Sequence, residues 1–144
     1  MTNDLALAVD YLRRARLRVR AVEALIDAGD FPDAVRESQE SVELAVKAVL
    51  KLKGLTYPRA HDVARMLRDA SILGPLLTAD ELAAIERVSK ALRRDRELSF
   101  YGDADVVPLE YYERSDADAA LAGLHEVLDL VGRAFDRNGT VIPV

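Results

Sequence analysis

The fold is decided by residues 30–62, DFPDAVRESQESVELAVKAVLKLKGLTYPRAHD. Ala34, Val35, Ser38, Val42, Ala45, Val46, Val49 and Leu50 recur at three- and four-residue spacing, the pattern of a helix with one broad apolar face. Asp30 stands where an N-cap is needed, Asp33 follows three residues on, and Pro32 fits a first turn that has no use for its missing N–H. Gly54 ends the helix. Ser38, Ser41, Ala45 and Ala48 are small enough to let a second helix approach closely. Glu43 and Lys47 stand four apart in the favourable order for a helix ion pair. They read either as surface pairing or, because Glu43 adjoins Val42 and Val46, as a semi-buried pair or cleft group. His61-Asp62 opens a short helix that ends near Ser71. Adjacent helical residues do not face one another, so His61 reads as a fixture of the helix start sooner than as half of a catalytic dyad with Asp62.

On the N-terminal side, residues 4–28 form another helix with Leu5, Ala8, Val9, Leu12, Ala15, Val19, Val22 and Ile26 on its inner face, closed by Gly29. Its outer side carries Arg13, Arg14, Arg16, Arg18 and Arg20, partly countered by Asp10, Glu23 and Asp27. That run is a solvated face or a surface for an anion or acidic partner. On the C-terminal side, Thr78 with Glu81 is a capping-box pattern that predicts a helix from Ala79 to about Ser99, with Leu82, Ile85, Val88, Leu92 and Ser99 inside. If this helix persists, Arg94, Leu98 and Tyr101 share one side. Guanidinium and phenol groups so placed suit phosphate binding and suit a structural salt bridge equally well. Residues 103–114 lack helical periodicity and read as a long loop held by its aromatics. Ser115 and Asp118 predict the start of a last helix running to about Asp136, with Ala120, Leu121, Leu124, Leu128, Val131 and Phe135 inside and His125 at the core edge. The fold class is therefore all-α: an antiparallel up-and-down four-helix bundle with an extra short helix, in one domain over residues 1–144.

Composition narrows the chemistry. There is no cysteine, so thiol chemistry is absent, and any zinc site would rest on His61, His125 and carboxylates. The seven glycines are scattered singly, which leaves no phosphate-binding loop, and neither a cofactor nor a metal is expected. A net charge of −5 argues against a chain that coats nucleic acid over its whole surface but permits a local basic cleft. No apolar run reaches the roughly 20 residues that span a bilayer, and the N-terminus lacks a signal-peptide layout. A cytoplasmic protein with no membrane partner is expected.

The order A-x-x-x-x-Q-x-x-V-E-x-A-V-K-A-V-L-x-x-K-G, here through Gln39, Glu43, Ala45, Lys47, Ala48, Leu50 and Gly54, followed by P-R-A-H-D-V with Pro58, His61 and Asp62, resembles the HEPN family. The likeness continues through R-E-L-S-F-Y-G-D at residues 96–103 and P-x-E-Y-Y at 108–112 into the last helix. It implies a helical unit that forms a homodimer with a cleft between protomers, often beside a minimal nucleotidyltransferase partner. Nuclease members carry an Arg, then four to six residues, then a His, often with a Tyr two beyond. Arg94 and Tyr101 match that motif, and Ser99 occupies the His position. In the motif the Arg stabilises phosphorane charge and the His moves a proton. A serine hydroxyl cannot shuttle protons near neutrality as imidazole does.

The expectation is therefore a non-enzyme: a dimeric module that binds a nucleotidyltransferase partner and nucleotide or RNA phosphate through Arg94, Arg96 and Tyr101. Glu43, Lys47, His61 and Asp62 would serve the scaffold or cleft. The alternative is a metal-independent endoribonuclease toxin of a toxin–antitoxin pair acting through Arg94, Arg96 and Tyr101, with Ser99 a further catalytic candidate. By similarity to modified family members, Tyr101 is also a candidate acceptor of a nucleotidyl group from the partner enzyme.

Overall fold

The helix of residues 31–52 is the hub against which the others pack. The structure, a computed structural model, describes residues 3–57, 66–67 and 73–143. In chain order these contain α1 (Asn3–Asp27), α2 (Phe31–Leu52), α3 (Ala79–Arg94), α4 (Arg96–Tyr101), α5 (Pro108–Tyr111) and α6 (Arg114–Arg137). The four long helices are those expected, and the described residues contain no strand. The short helix expected at residues 61–71, with His61 and Asp62, lies outside the described residues except for Met66 and Leu67.

The α1–α2 connection is tight because Gly29 takes φ +82°, a conformation that costs glycine nothing. Gly29 N–H then reaches Ile26 O and Asp30 N–H reaches Leu25 O, closing the orphan carbonyls at the end of α1. The Asp30 side chain accepts from Asp33 N–H and starts α2. So short a turn makes the two helices antiparallel, and ion pairs record it: Lys51 with Asp4 at 3.3 Å and Arg18 with Glu37 at 3.6 Å. A second antiparallel pair, α3 with α6, is marked by Arg87–Glu126 at 2.9 Å and Arg137–Glu81 at 2.7 Å.

Leu12, Leu50, Ile85, Leu124 and Phe135 are fully buried where α1, α2, α3 and α6 meet. Each such side chain is worth roughly 1.5–3 kcal/mol relative to exposure. Every apolar position expected on the inner face of α2 is buried. Ser38 and Ser41 are buried without penalty, because their hydroxyls donate back to Ala34 O at 2.9 Å and Glu37 O at 2.8 Å.

The structure departs from expectation in three places. The helix expected over 79–99 breaks at Asp95, where α3 stops and α4 begins. The Asp95 carboxylate is drawn to Tyr112, whose hydroxyl donates to it at 3.2 Å, while Arg96 turns to α2. The loop expected over 103–114 contains one helical turn, α5, with Pro108 at its first position, where a missing N–H is harmless. The last helix starts one residue before Ser115, its capping box supplied by Glu113 and Asp116 in place of Ser115 and Asp118.

Candidate functional site

Between α2 and α4 lies a pocket of about 210 Å³ lined by Arg36, Arg96, Phe100 and Tyr101. Arg96 enters it held on its α2 side: Nε donates to Gln39 Oε1 at 3.2 Å and Nη2 to Glu40 Oε1 at 2.8 Å. Gln39 in turn donates from Nε2 to Glu43 Oε2 at 3.1 Å, and Lys47 Nζ lies 3.0 Å from Glu43 Oε1. Glu43 is only 6% exposed, so it is a buried carboxylate and not part of a surface pair. With a cation and an amide on its two oxygens, the cost of desolvating it is met locally. The chain ends outward, with the Lys47 ammonium 5.6 Å from the centre of the Tyr57 ring. Burial and the Tyr11 hydroxyl push that phenol up to about 12, so it stays neutral beside the lysine.

Arg36 differs from Arg96. Its guanidinium lies 4.1 Å from the Phe100 ring centre and makes no ion pair among the described residues. The ring face holds the cation in place without consuming its hydrogen-bond donors. Phe100 also meets Tyr101 edge to face at 4.5 Å, and Tyr101 is 78% exposed. The pocket thus combines one guanidinium with donors to spare, a second already anchored, and an open aromatic face. Such a set offers hydrogen-bond donors to an anionic group and a ring face to a planar one.

Of the residues singled out from the sequence, Arg96 and Tyr101 come together. Arg94 does not line the pocket: it is the last residue of α3, exposed, and the break at Asp95 removes the shared helix face that would have aligned it with Tyr101. Ser99 is 1% exposed and its hydroxyl donates to Arg96 O at 3.1 Å, so it faces the bundle and not the pocket. Glu43 and Lys47 do not line the pocket; Gln39 links Glu43 to Arg96. His125 is on the exposed side of α6. The sequence reading missed Arg36. The signal was present, since Arg36, Gln39 or Glu40, Glu43 and Lys47 continue one polar stripe at helical spacing along α2.

The HEPN domain profile matches residues 8–134 of the chain. Over 129 residues, 84% of this chain and 83% of the relative, the sequence is 28% identical to the "Putative toxin MJ1304" of Methanocaldococcus jannaschii. The fold is that of two crystal structures. TT1696 from Thermus thermophilus superposes with a TM-score of 0.72 over 88% of this chain and 97% of its own, at 24% identity. ST0689, an archaeal HEPN homologue, gives 0.67 over 87% and 94%, also at 24% identity. The expectation of a non-enzyme is corrected by the sequence relative from Methanocaldococcus jannaschii, which covers 84% of the chain and carries the name "Putative toxin".

Proposed function

The chain belongs to the HEPN family, and from that premise we propose that it is a ribonuclease toxin of a toxin–antitoxin pair whose RNA-facing site is the pocket between α2 and α4. The observation that carries this reading is the convergence of Arg36 and Arg96, from two helices, on a pocket walled by Phe100 and Tyr101. In cleavage, the ribose 2′-oxygen attacks the adjacent phosphorus, the P–O5′ bond breaks, and a cyclic phosphate and a free 5′-hydroxyl result. Two guanidiniums beside that phosphate stabilise the charge that builds on its non-bridging oxygens. Tyr101 offers an open ring on which one base stacks, and Arg94, at the end of α3, reaches a flanking phosphate.

With Ser99 turned inward, water takes the 2′-hydroxyl proton and returns one to the leaving oxygen. The rate is therefore roughly 10²–10⁴ below that of a site with a positioned imidazole, and it rises with pH. Val107, Leu109 and Tyr111 are 57%, 66% and 55% exposed just after α4, an apolar strip that a second copy of the chain would cover in a homodimer. The partner in the pair is a minimal nucleotidyltransferase acting as antitoxin.

The test is incubation of the purified chain with single-stranded RNA in excess chelator. Slow cleavage to cyclic-phosphate ends is expected for wild type and not for the Arg36→Ala/Arg96→Ala double variant. Equal cleavage by the two would assign the activity to another site or to a contaminant.

A further inference from the structure

α3 and α6 enclose a second, larger groove of about 450 Å³. Val35, Val88, Leu92 and Ala120 are buried apolar residues that line it, and the exposed Ala91, Ala119 and Ala122 leave it open to a side chain from outside. The helices approach so closely here that a Cβ on Gly123 would stand 2.9 Å from Val88 Cγ1. Its rim is acidic: Asp95, Asp116 and Glu126 line it, and the only cation among the lining residues, Arg87, is already paired with Glu126 at 2.9 Å.

A complementary surface lies on α1. Leu17 is 59% exposed, and its helical neighbours three and four residues away are Arg13, Arg14, Arg20 and Ala21. Arg14 pairs with Asp10 at 3.3 Å, whereas Arg13 and Arg20 make no ion pair among the described residues. Asp10 and Glu23, three residues from Arg13 and Arg20, answer only part of this charge within the helix, and like charges crowded on one helix face cost stability. A leucine ringed by arginines suits an apolar groove with an acidic rim, and nucleic acid would leave that leucine without a partner. The spans also agree. At about 1.5 Å per residue, Arg13 to Arg20 covers about 10 Å before the long side chains extend it, and Asp116 to Glu126 covers about 15 Å.

We propose that the α1 face of one copy lies in the α3–α6 groove of another, with Leu17 against its apolar lining and Arg13 and Arg20 on the carboxylate rim. Because giver and receiver are different surfaces, each copy offers one of each. This contact is separate from the pocket at α4 and does not depend on the nuclease reading.

Sedimentation of the full chain over a range of concentration and salt tests it. Wild type should show an association step that salt weakens. Leu17→Asp and, separately, Ala122→Arg should each weaken that step by at least tenfold, both changes being at exposed positions where folding is spared. Mixing the two variants should restore a one-to-one complex, since the first keeps an intact groove and the second an intact α1 face. Absence of a salt-sensitive step in wild type overturns the proposal, as does its persistence in either variant or the failure of the mixture to associate. If Leu17→Asp leaves association intact and abolishes retention of a labelled RNA, the face is an RNA surface and the proposal also fails.

Discussion

Arg96 Nη2 lies 2.8 Å from Glu40 Oε1, and this bond fixes how the pocket divides its work. The α4 arginine arrives with its charge partly answered by α2, while Arg36 keeps its donors for a ligand. Replacing Glu40 by Gln should free Arg96 and remove a carboxylate that repels phosphate. Affinity for a labelled single-stranded RNA should rise by about three- to tenfold, as expected for loss of a competing ion pair worth about 1 kcal/mol. In the same assay Arg36→Ala should cost more than Arg96→Ala. The opposite order would place the phosphate on α4 alone.

Gly102 sets the aim of the site from behind. It ends α4 directly after Tyr101 with φ +75°, and a Cβ there would run into the carbonyl oxygen of Val106 and stand 2.9 Å from Pro108 Cδ. Backbone cannot step aside as a flexible side chain can, so Gly102→Ala should cost about 1–3 kcal/mol. Thermal unfolding should move down by several degrees. RNA binding should fall further than that loss of stability accounts for, because the strain is released by shifting Tyr101. A variant with unchanged Tm would show that the turn at residues 103–106 adapts freely.

Stability toward acid should depend on Glu81. Its carboxylate receives the Arg137 guanidinium at 2.7 Å and the Thr78 N–H at 2.9 Å, which hold its pKa down to about 2 from an ordinary 4.5. A carboxyl lowered in the folded state stabilises the fold fully above the unfolded value. That contribution is lost as pH falls from about 4.5 toward 2. Glu81→Gln should cost on the order of 1 kcal/mol at neutral pH through the weakened cap and ion pair, and should flatten the acid side of the stability profile. Urea unfolding followed from neutral pH to pH 2 reads both. A variant whose profile still parallels wild type below pH 4.5 would assign the acid sensitivity to other carboxylates.

The bundle was legible because its determinants are local. The inner face of α2 is an unbroken helical period, Asp30 caps it, and Thr78 with Glu81 forms the capping box expected from spacing alone. The break at Asp95 was not legible. Neither glycine nor proline marks it, and the bonds around it come from Tyr112, 17 residues later, and from Gln39, 57 residues before Arg96. Of the residues named from the sequence, Arg96 and Tyr101 line the pocket. Motif alignment pointed to Arg94, Ser99 and Tyr101; the break leaves Arg94 outside the pocket and Ser99 inside the bundle, and only Tyr101 of the three lines it. Weighing one missing imidazole against catalysis also overlooked Arg36, whose partner Phe100 is brought close only by the fold.

Tyr101 separates two roles that share one side chain. Its ring is positioned by Phe100 at 4.5 Å and its exposure leaves the hydroxyl open to a partner enzyme. Stacking needs only the ring. Accepting a nucleotidyl group needs the oxygen, which would attack the α-phosphorus of a nucleoside triphosphate, expel pyrophosphate and lose its proton to the transferase or to water. Tyr101→Phe should therefore bind single-stranded RNA like wild type, while Tyr101→Ala should lose about tenfold or more, the worth of one stacked base. After co-expression with a minimal nucleotidyltransferase, intact-mass measurement should show a nucleotidyl increment on wild type and none on Tyr101→Phe. The modified chain should bind RNA poorly, because the added phosphate would occupy Arg36 and fill a pocket of only about 210 Å³. An unmodified wild type would sink the acceptor role and leave the stacking role standing, whereas equal RNA binding by all three chains would remove Tyr101 from the site altogether.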